Sequence, residues 1–342
     1  MIRTKTTFVV GAGASCEVQM PSGQELLGRI AQAFDFERYG LELQTRDSMV
    51  LQQHLGKAAN RLSKSESDMA EAAGKIRTAS KLGGSIDSIL QQFDAEPLVQ
   101  SCGKLAITHF ICQSEARSNL KLTPRMPGDL PLQGNDVWLF HLARLVTSDV
   151  PRMRAERCLD DLTIINFNYD RSIEHFLPYA FVLAFGMTLQ EAQRIVAAKL
   201  NVMRPYGSIG RLPWQSGDGP DVEWGTEAPW NILNLSSQIR TLGERQQDRN
   251  AVTAVQNAVT TAKRLVVLGF GFHPQNLDLL FDRSLSHNPE VLITFHDMTS
   301  ANRASVVRTI KRKTGLDRDD LLLTHNARSH ELMRDYSLLL ES

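Results

Sequence analysis

The sequence predicts an α/β fold on a mainly parallel sheet, interrupted by a large helical insertion. Three observations predict it. Short apolar runs at 6–10, 162–167, 265–268 and 291–295 each break into a turn and lead toward a helical pattern, the alternation that builds parallel sheets. The first two of these runs end in turns of unusual composition, one rich in Gly and one in Asn and Asp. Between them, residues from about 40 to 158 carry little strand character and repeat apolar side chains at helical spacing.

Taken in order, 6–10 reads as a fully buried strand, since both of its faces are apolar. Residues 21–23 form a loop entering a helix that begins near Glu25. The helical insertion shows its period at Leu51, Leu55 and Leu62, at Ile86, Ile89, Leu90 and Phe93, across 105–111, and across 137–145. Pro124, Pro127 and Pro131 mark a loop inside it. Strand character returns at 162–167, a helix follows at 172–183, and Thr188 caps another that runs to Lys199. A further strand leads into Pro205-Tyr-Gly-Ser208. Residues 210–231 form a long loop carrying Trp214, Trp224 and Trp230, equally suited to a lid or oligomer contact and to an anchored surface loop. No internal repeat or low-complexity tract is present.

The bulk numbers narrow the function. A chain of 342 residues can bury a full α/β core, as one large domain or two smaller ones. Basic and acidic residues balance at 38 each, so no electrostatic footprint for nucleic acid or an acidic membrane is expected. The basic cluster at 308–313 reads as a solvated helix face. Cys16, Cys102, Cys112 and Cys158 form no Cys-x-x-Cys pair, which argues against a structural zinc module and for a metal-free site. No leader-type or membrane-spanning apolar run occurs, so the expectation is a soluble cytoplasmic protein.

Gly11-Ala-Gly13 sits where the first strand ends. Glycine there lets the backbone approach a pyrophosphate, and the same turn also serves as a tight strand–helix connection with no ligand. The dinucleotide fingerprint calls for a third Gly at the position of Cys16, which disfavours an ordinary dehydrogenase. Asn166, Asn168 and Asp170 follow the strand at 162–167, where ligands of open α/β sheets bind. Asn168 is a neutral donor and acceptor able to place a water beside a sugar carbon, and a nearby carboxylate stabilises an oxocarbenium-like state. On position alone Asp170 is better suited to cap the following helix. Gly269 and Gly271 permit a second close backbone approach, with Phe270 or Phe272 lining an apolar pocket. Asp297, after the strand at 291–295, suits a ribose hydroxyl or a helix cap.

These segments together resemble the sirtuin-like family. Gly11, Ala12, Gly13 and Ser15 match the opening Gly-Ala-Gly-x-Ser of its NAD site, and Asn168-Tyr-Asp170 matches its Asn-x-Asp. The stretches 20–26 and 167–174 are similar to the bacterial stand-alone and defence-associated NAD hydrolases of that family. The likeness covers about 5–36 and 160–300. It implies a Rossmann-like, sirtuin-type core from 1–36 and 160–342, with 37–159 inserted. It implies that Gly11, Ala12, Gly13 and Ser15 hold phosphates, that Asn168 is essential for nicotinamide release and that Asp170 supports it. Gly269, Phe270 and Gly271 would contact the adenosine half, with Gly207, Ser208 and Asp297 also on the NAD. Tyr206 stands where the family carries a His that acts on the ribose, and a phenol is a poor base at neutral pH. His175 and His273 are other imidazoles for that role.

The resemblance therefore implies hydrolysis of NAD to nicotinamide and ADP-ribose, with NAD as substrate, in an anti-phage effector that depletes NAD. It implies control by homo-oligomerisation or by a separate ATPase or sensor protein. A non-catalytic NAD or ADP-ribose binding subunit is the alternative that Tyr206 favours. A protein deacylase is disfavoured by the missing zinc cysteines and by the altered loop after Pro21.

Overall fold

In a computed structural model, residues 2–36, 45–121, 136–285, 287–316 and 318–342 are described. The loop expected around Pro124, Pro127 and Pro131 lies outside them. Six strands form one all-parallel sheet: β1 (Thr6–Val10), β2 (Leu162–Asn166), β3 (Asn201–Met203), β4 (Arg264–Leu268), β5 (Glu290–Thr294) and β6 (Leu322–His325). Their spatial order is β3-β2-β1-β4-β5-β6, the doubly wound Rossmann-like arrangement. The chain builds outward from β1 to β3, then returns to place β4 against the other edge of β1. That reversal creates a crevice beyond the carboxyl ends of β1 and β4, the usual ligand position in such sheets.

The apolar strands are explained by burial on both faces. Phe8 and Val10 of β1 point with Ile164, Val266, Leu268 and Leu292 into one core, while Val9 points with Ile165, Leu265, Val267 and Ile293 into the other. The first core is closed by the helices Trp138–Thr147, Ser172–Phe185, Leu189–Lys199 and Ser329–Asp335. The second is closed by Arg249–Thr260, Pro274–Leu280 and Ser300–Thr314. β6 is absent from the sequence reading: it is a four-residue edge strand with only partial burial, and its Leu-Leu-Thr-His carries little alternation.

A third core lies beside the sheet. Helices Gly23–Ala33, Arg46–Leu62, Glu66–Ala79, Ile86–Gln92 and Pro97–Arg117 pack together around Ile30, Leu51, Met69, Ile76 and Ile107. Tyr169, Tyr206 and Ile239, from the sheet-bearing part of the chain, also enter this cluster. The helical region is thereby packed against the carboxyl-terminal side of β2 and β3.

Caps follow the sequence where it is explicit. Ser22 and Glu25 form a reciprocal capping box for Gly23–Ala33, and Thr188 and Glu191 form one for Leu189–Lys199. Helix Ser300–Thr314 is capped by Thr299, not by Asp297. Loop 210–231 is anchored rather than lid-like. Arg171 and Glu115 form a buried ion pair, and the same guanidinium donates to the carbonyls of Arg211 and Val222 at 2.9 and 2.6 Å. Trp214 and Trp224 pack on the first core, and Trp230 is 91% exposed. No helix among the described residues is long and apolar enough to cross a membrane.

Candidate functional site

The two glycine turns meet at the switch point of the sheet. Gly11 N donates to the Leu268 carbonyl and Gly13 N to the Gly269 carbonyl, both at 2.9 Å. A Cβ on Gly11 would stand 2.5 Å from the Gly269 oxygen. Gly269 has a φ of +55°, and a Cβ there would lie 2.0 Å from the Ala14 nitrogen. Turn-to-turn packing thus accounts for these glycines by itself. The first turn runs into a four-residue helix, Ala12–Ser15, and a 3-10 turn, and the helix expected near Glu25 starts at Gly23.

Around this junction lies a cleft of about 520 Å³, within the range of cofactor-sized pockets. Gly11, Ala12, Gly13, Asn168, Tyr206, Gly269, Phe270 and Gly271 all line it. Of the residues expected in the site, Ser15, Asp170, Gly207, Ser208 and Asp297 do not.

Asn168 is held from both ends. Its backbone N donates to Asn166 Oδ1 at 3.0 Å, an Asx turn that ends β2, and its carbonyl accepts from Arg204 at 2.8 Å. Its Nδ2 donates to the Gly11 carbonyl at 3.0 Å and to Ser15 Oγ at 2.7 Å. A carbonyl only accepts, so the amide orientation is fixed by chemistry. Oδ1 is left with no hydrogen bond from the described residues. The buried Ser15 hydroxyl therefore serves Asn168 from beneath the cleft surface.

Asp170 is turned to the start of the next helix, one residue before its N-cap Arg171. Its Oδ1 accepts from the backbone N and the hydroxyl of Ser172, at the start of helix Ser172–Phe185. Asp297 is 88% exposed beside His296, while His296 and Met298 on either side do line the cleft. Gly207 and Ser208 line a second cavity of about 390 Å³, with Arg204, Arg240 and Arg245.

Tyr206 is engaged. Its hydroxyl donates to Asn276 Oδ1 at 2.7 Å and accepts from Arg245 Nη1 at 3.0 Å, with the guanidinium 5.0 Å from the ring centroid. Burial pushes the phenol well above its ordinary value despite the nearby cation, so it stays protonated at neutral pH. His175 lies outside the cleft, stacked on Trp224 at 4.3 Å and donating Nε2–H to the Leu120 carbonyl. His273 lines the cleft.

The sequence reading missed the opposite wall. Gly84, Ser85 and Asp87 come from the helical region, where Ser85 caps helix Ile86–Gln92. The Tyr169 hydroxyl donates to Asp87 Oδ1. Burial raises the Asp87 carboxyl above the usual carboxylate range, while the Tyr169 bond and the charges of His273 and Arg245 oppose that rise. Glu17 also lines the cleft, but its Oε1 accepts from the N and Nδ1 of His330 and its Oε2 from Trp138 N. No signal in the chain marks Asp87, because Ser-x-Asp is what any capped helix start looks like. Among the described residues no three His, Cys, Asp or Glu gather as a metal site.

A scan against protein-family models matches none, and a search of curated proteins finds no match.

Proposed function

We propose that this protein is an NAD glycohydrolase, releasing nicotinamide and ADP-ribose from NAD and water. The observation that carries this reading is the orientation of Asn168: its amide hydrogens are committed to the Gly11 carbonyl and the Ser15 hydroxyl, and Oδ1, with no hydrogen bond from the described residues, sits at a cleft beyond β1, β2 and β4. An acceptor held that rigidly can orient a water or a ribose hydroxyl beside the anomeric carbon. In the reaction the C–N bond breaks, its electron pair neutralises the pyridinium, water forms the new C–O bond and one proton is released. The resemblance to sirtuin-like hydrolases supports the same chemistry, with NAD depletion in anti-phage defence as its purpose. Self-assembly or a separate ATPase or sensor protein would hold it in check.

The test is chromatography of NAD incubated with the purified protein. Nicotinamide and ADP-ribose are expected in equal amounts, with release falling about 1,000-fold in Asn168→Ala, the scale of losing one preorganised polar group at a reacting centre. Equal release from both proteins would refute the role of Asn168.

A second reading rests on Tyr206. Its phenol is occupied by Asn276 and Arg245 and is unsuited to accept a ribose proton. That favours a subunit that binds NAD or ADP-ribose without turnover. Binding by calorimetry with no nicotinamide release at high protein concentration would support it.

A further inference from the structure

We propose that Asp87, supplied by the helical region, is the carboxylate of this site and accepts the proton of the attacking water. The proposal rests on the glycohydrolase reading and deepens it. An oxocarbenium-like centre is well served by a nearby carboxylate, and water attack needs a place for its proton. Asp170, the acid expected for the task, is outside the cleft and occupied by Ser172. Two acidic side chains are among the lining residues, Glu17 and Asp87. Both oxygens of Glu17 already accept hydrogen bonds from Trp138 and His330. Asp87 differs: Oδ1 accepts from Tyr169, and Oδ2 accepts from no other described residue.

The placement is also linked to Asn168. Tyr169 is the next residue in the same turn after β2, so one short segment fixes both the amide on the sheet side and the carboxylate on the helical side. Tyr169 is buried in the helical core, which makes it a positioning residue for Asp87. Burial that raises the carboxyl brings its basicity nearer to neutral pH, where a general base works best. In the step, the water oxygen bonds to the anomeric carbon, its proton passes to Asp87 Oδ2, and nicotinamide leaves with the former C–N pair. The proton then goes to solvent, which restores the carboxylate.

The experiment compares wild type, Asp87→Asn and Tyr169→Phe, measuring nicotinamide release against pH and NAD affinity by calorimetry. Asp87→Asn keeps the shape and an acceptor for Tyr169 while removing the base. Its release is expected to fall about 100-fold or more, with NAD affinity retained and the acidic limb of the pH profile gone. Tyr169→Phe removes a bond that lowers the carboxyl, so its acidic limb is expected to move to higher pH with activity kept at alkaline pH. This second variant also guards against misfolding of the first. Near-wild-type release and an unchanged acidic limb in Asp87→Asn overturn the assignment while leaving the glycohydrolase standing. Wild type that binds NAD and releases no nicotinamide overturns both.

Discussion

The two walls of the cleft are built on different principles. The sheet wall is a junction of backbone: Gly11, Gly13 and Gly269 touch through main-chain atoms, and Asn168 is hydrogen-bonded onto them. The helical wall is a set of side chains, Ser85 and Asp87, presented at a capped helix start and steadied by Tyr169. The sheet wall supplies a rigid backbone junction, and the helical wall supplies the Asp87 carboxylate. A cleft so divided keeps its floor fixed while its acidic group depends on how a separate core is seated.

Substitution at the junction gives the largest expected effect on stability. Gly269→Ala places a Cβ against the backbone of Gly13 and Ala14 in a left-handed conformation, with no flexible side chain among the nearest atoms to yield. A loss on the order of 3 kcal/mol or more is expected in chemical denaturation. A loss below about 1 kcal/mol would show that the junction is looser than drawn.

Acid sensitivity compares two histidines, one on each side. His175, under the sheet wall, and His54, in the helical core, are both pushed down to about 4, chiefly by burial. Between the ordinary histidine value and about 4 the unfolded chain takes up a proton that the folded chain refuses. Stability contributed by each neutral ring is therefore full above about pH 6.5 and declines as pH falls through that window, by up to about 3 kcal/mol at the deeply buried His175 and by much less at the half-buried His54, where solvent screens the charge. His175→Phe, which keeps an aromatic ring against Trp224, is expected to flatten the decline, followed by thermal melting from pH 7 to pH 4. Equal declines in the variant and wild type would exclude His175 as a source.

The smallest expected effect separates the walls most cleanly. Gly84, on the helical wall, has no neighbour within 4 Å of an added Cβ. Gly84→Ala is expected to change stability by no more than about 1 kcal/mol, with a gain through the unfolded state. A large loss in melting temperature would mean that the helical wall packs as tightly as the sheet wall.

How much of this was legible follows from where each residue sits. Gly11, Gly13, Gly269 and Asn168 stand where an apolar strand breaks, and the change of composition announces a turn beyond a strand end. The parallel sheet and the helical stretch were readable for the same reason, since burial on both strand faces and helical spacing both leave patterns. Asp170 shows the limit. A carboxylate two residues before a helix suits a helix start or a site, and only the bonds to Ser172 show that it is turned to the helix. Asp87 was invisible, because its place in the cleft depends on how the helical core docks on the sheet, a contact 81 residues away from Asn168 in sequence. Tyr206 is visible in the sequence, but its occupation by Arg245 and Asn276 comes from residues 39 and 70 positions further on, respectively.

The account is tested most directly by a crystal structure of Asn168→Ala grown with saturating NAD. It predicts intact NAD in the cleft, with the pyrophosphate along residues 11–13 and the nicotinamide ribose between position 168 and Asp87. NAD seated instead in the second cavity beside Arg240 and Arg245, or a cleft that remains without nucleotide at saturation, would contradict it.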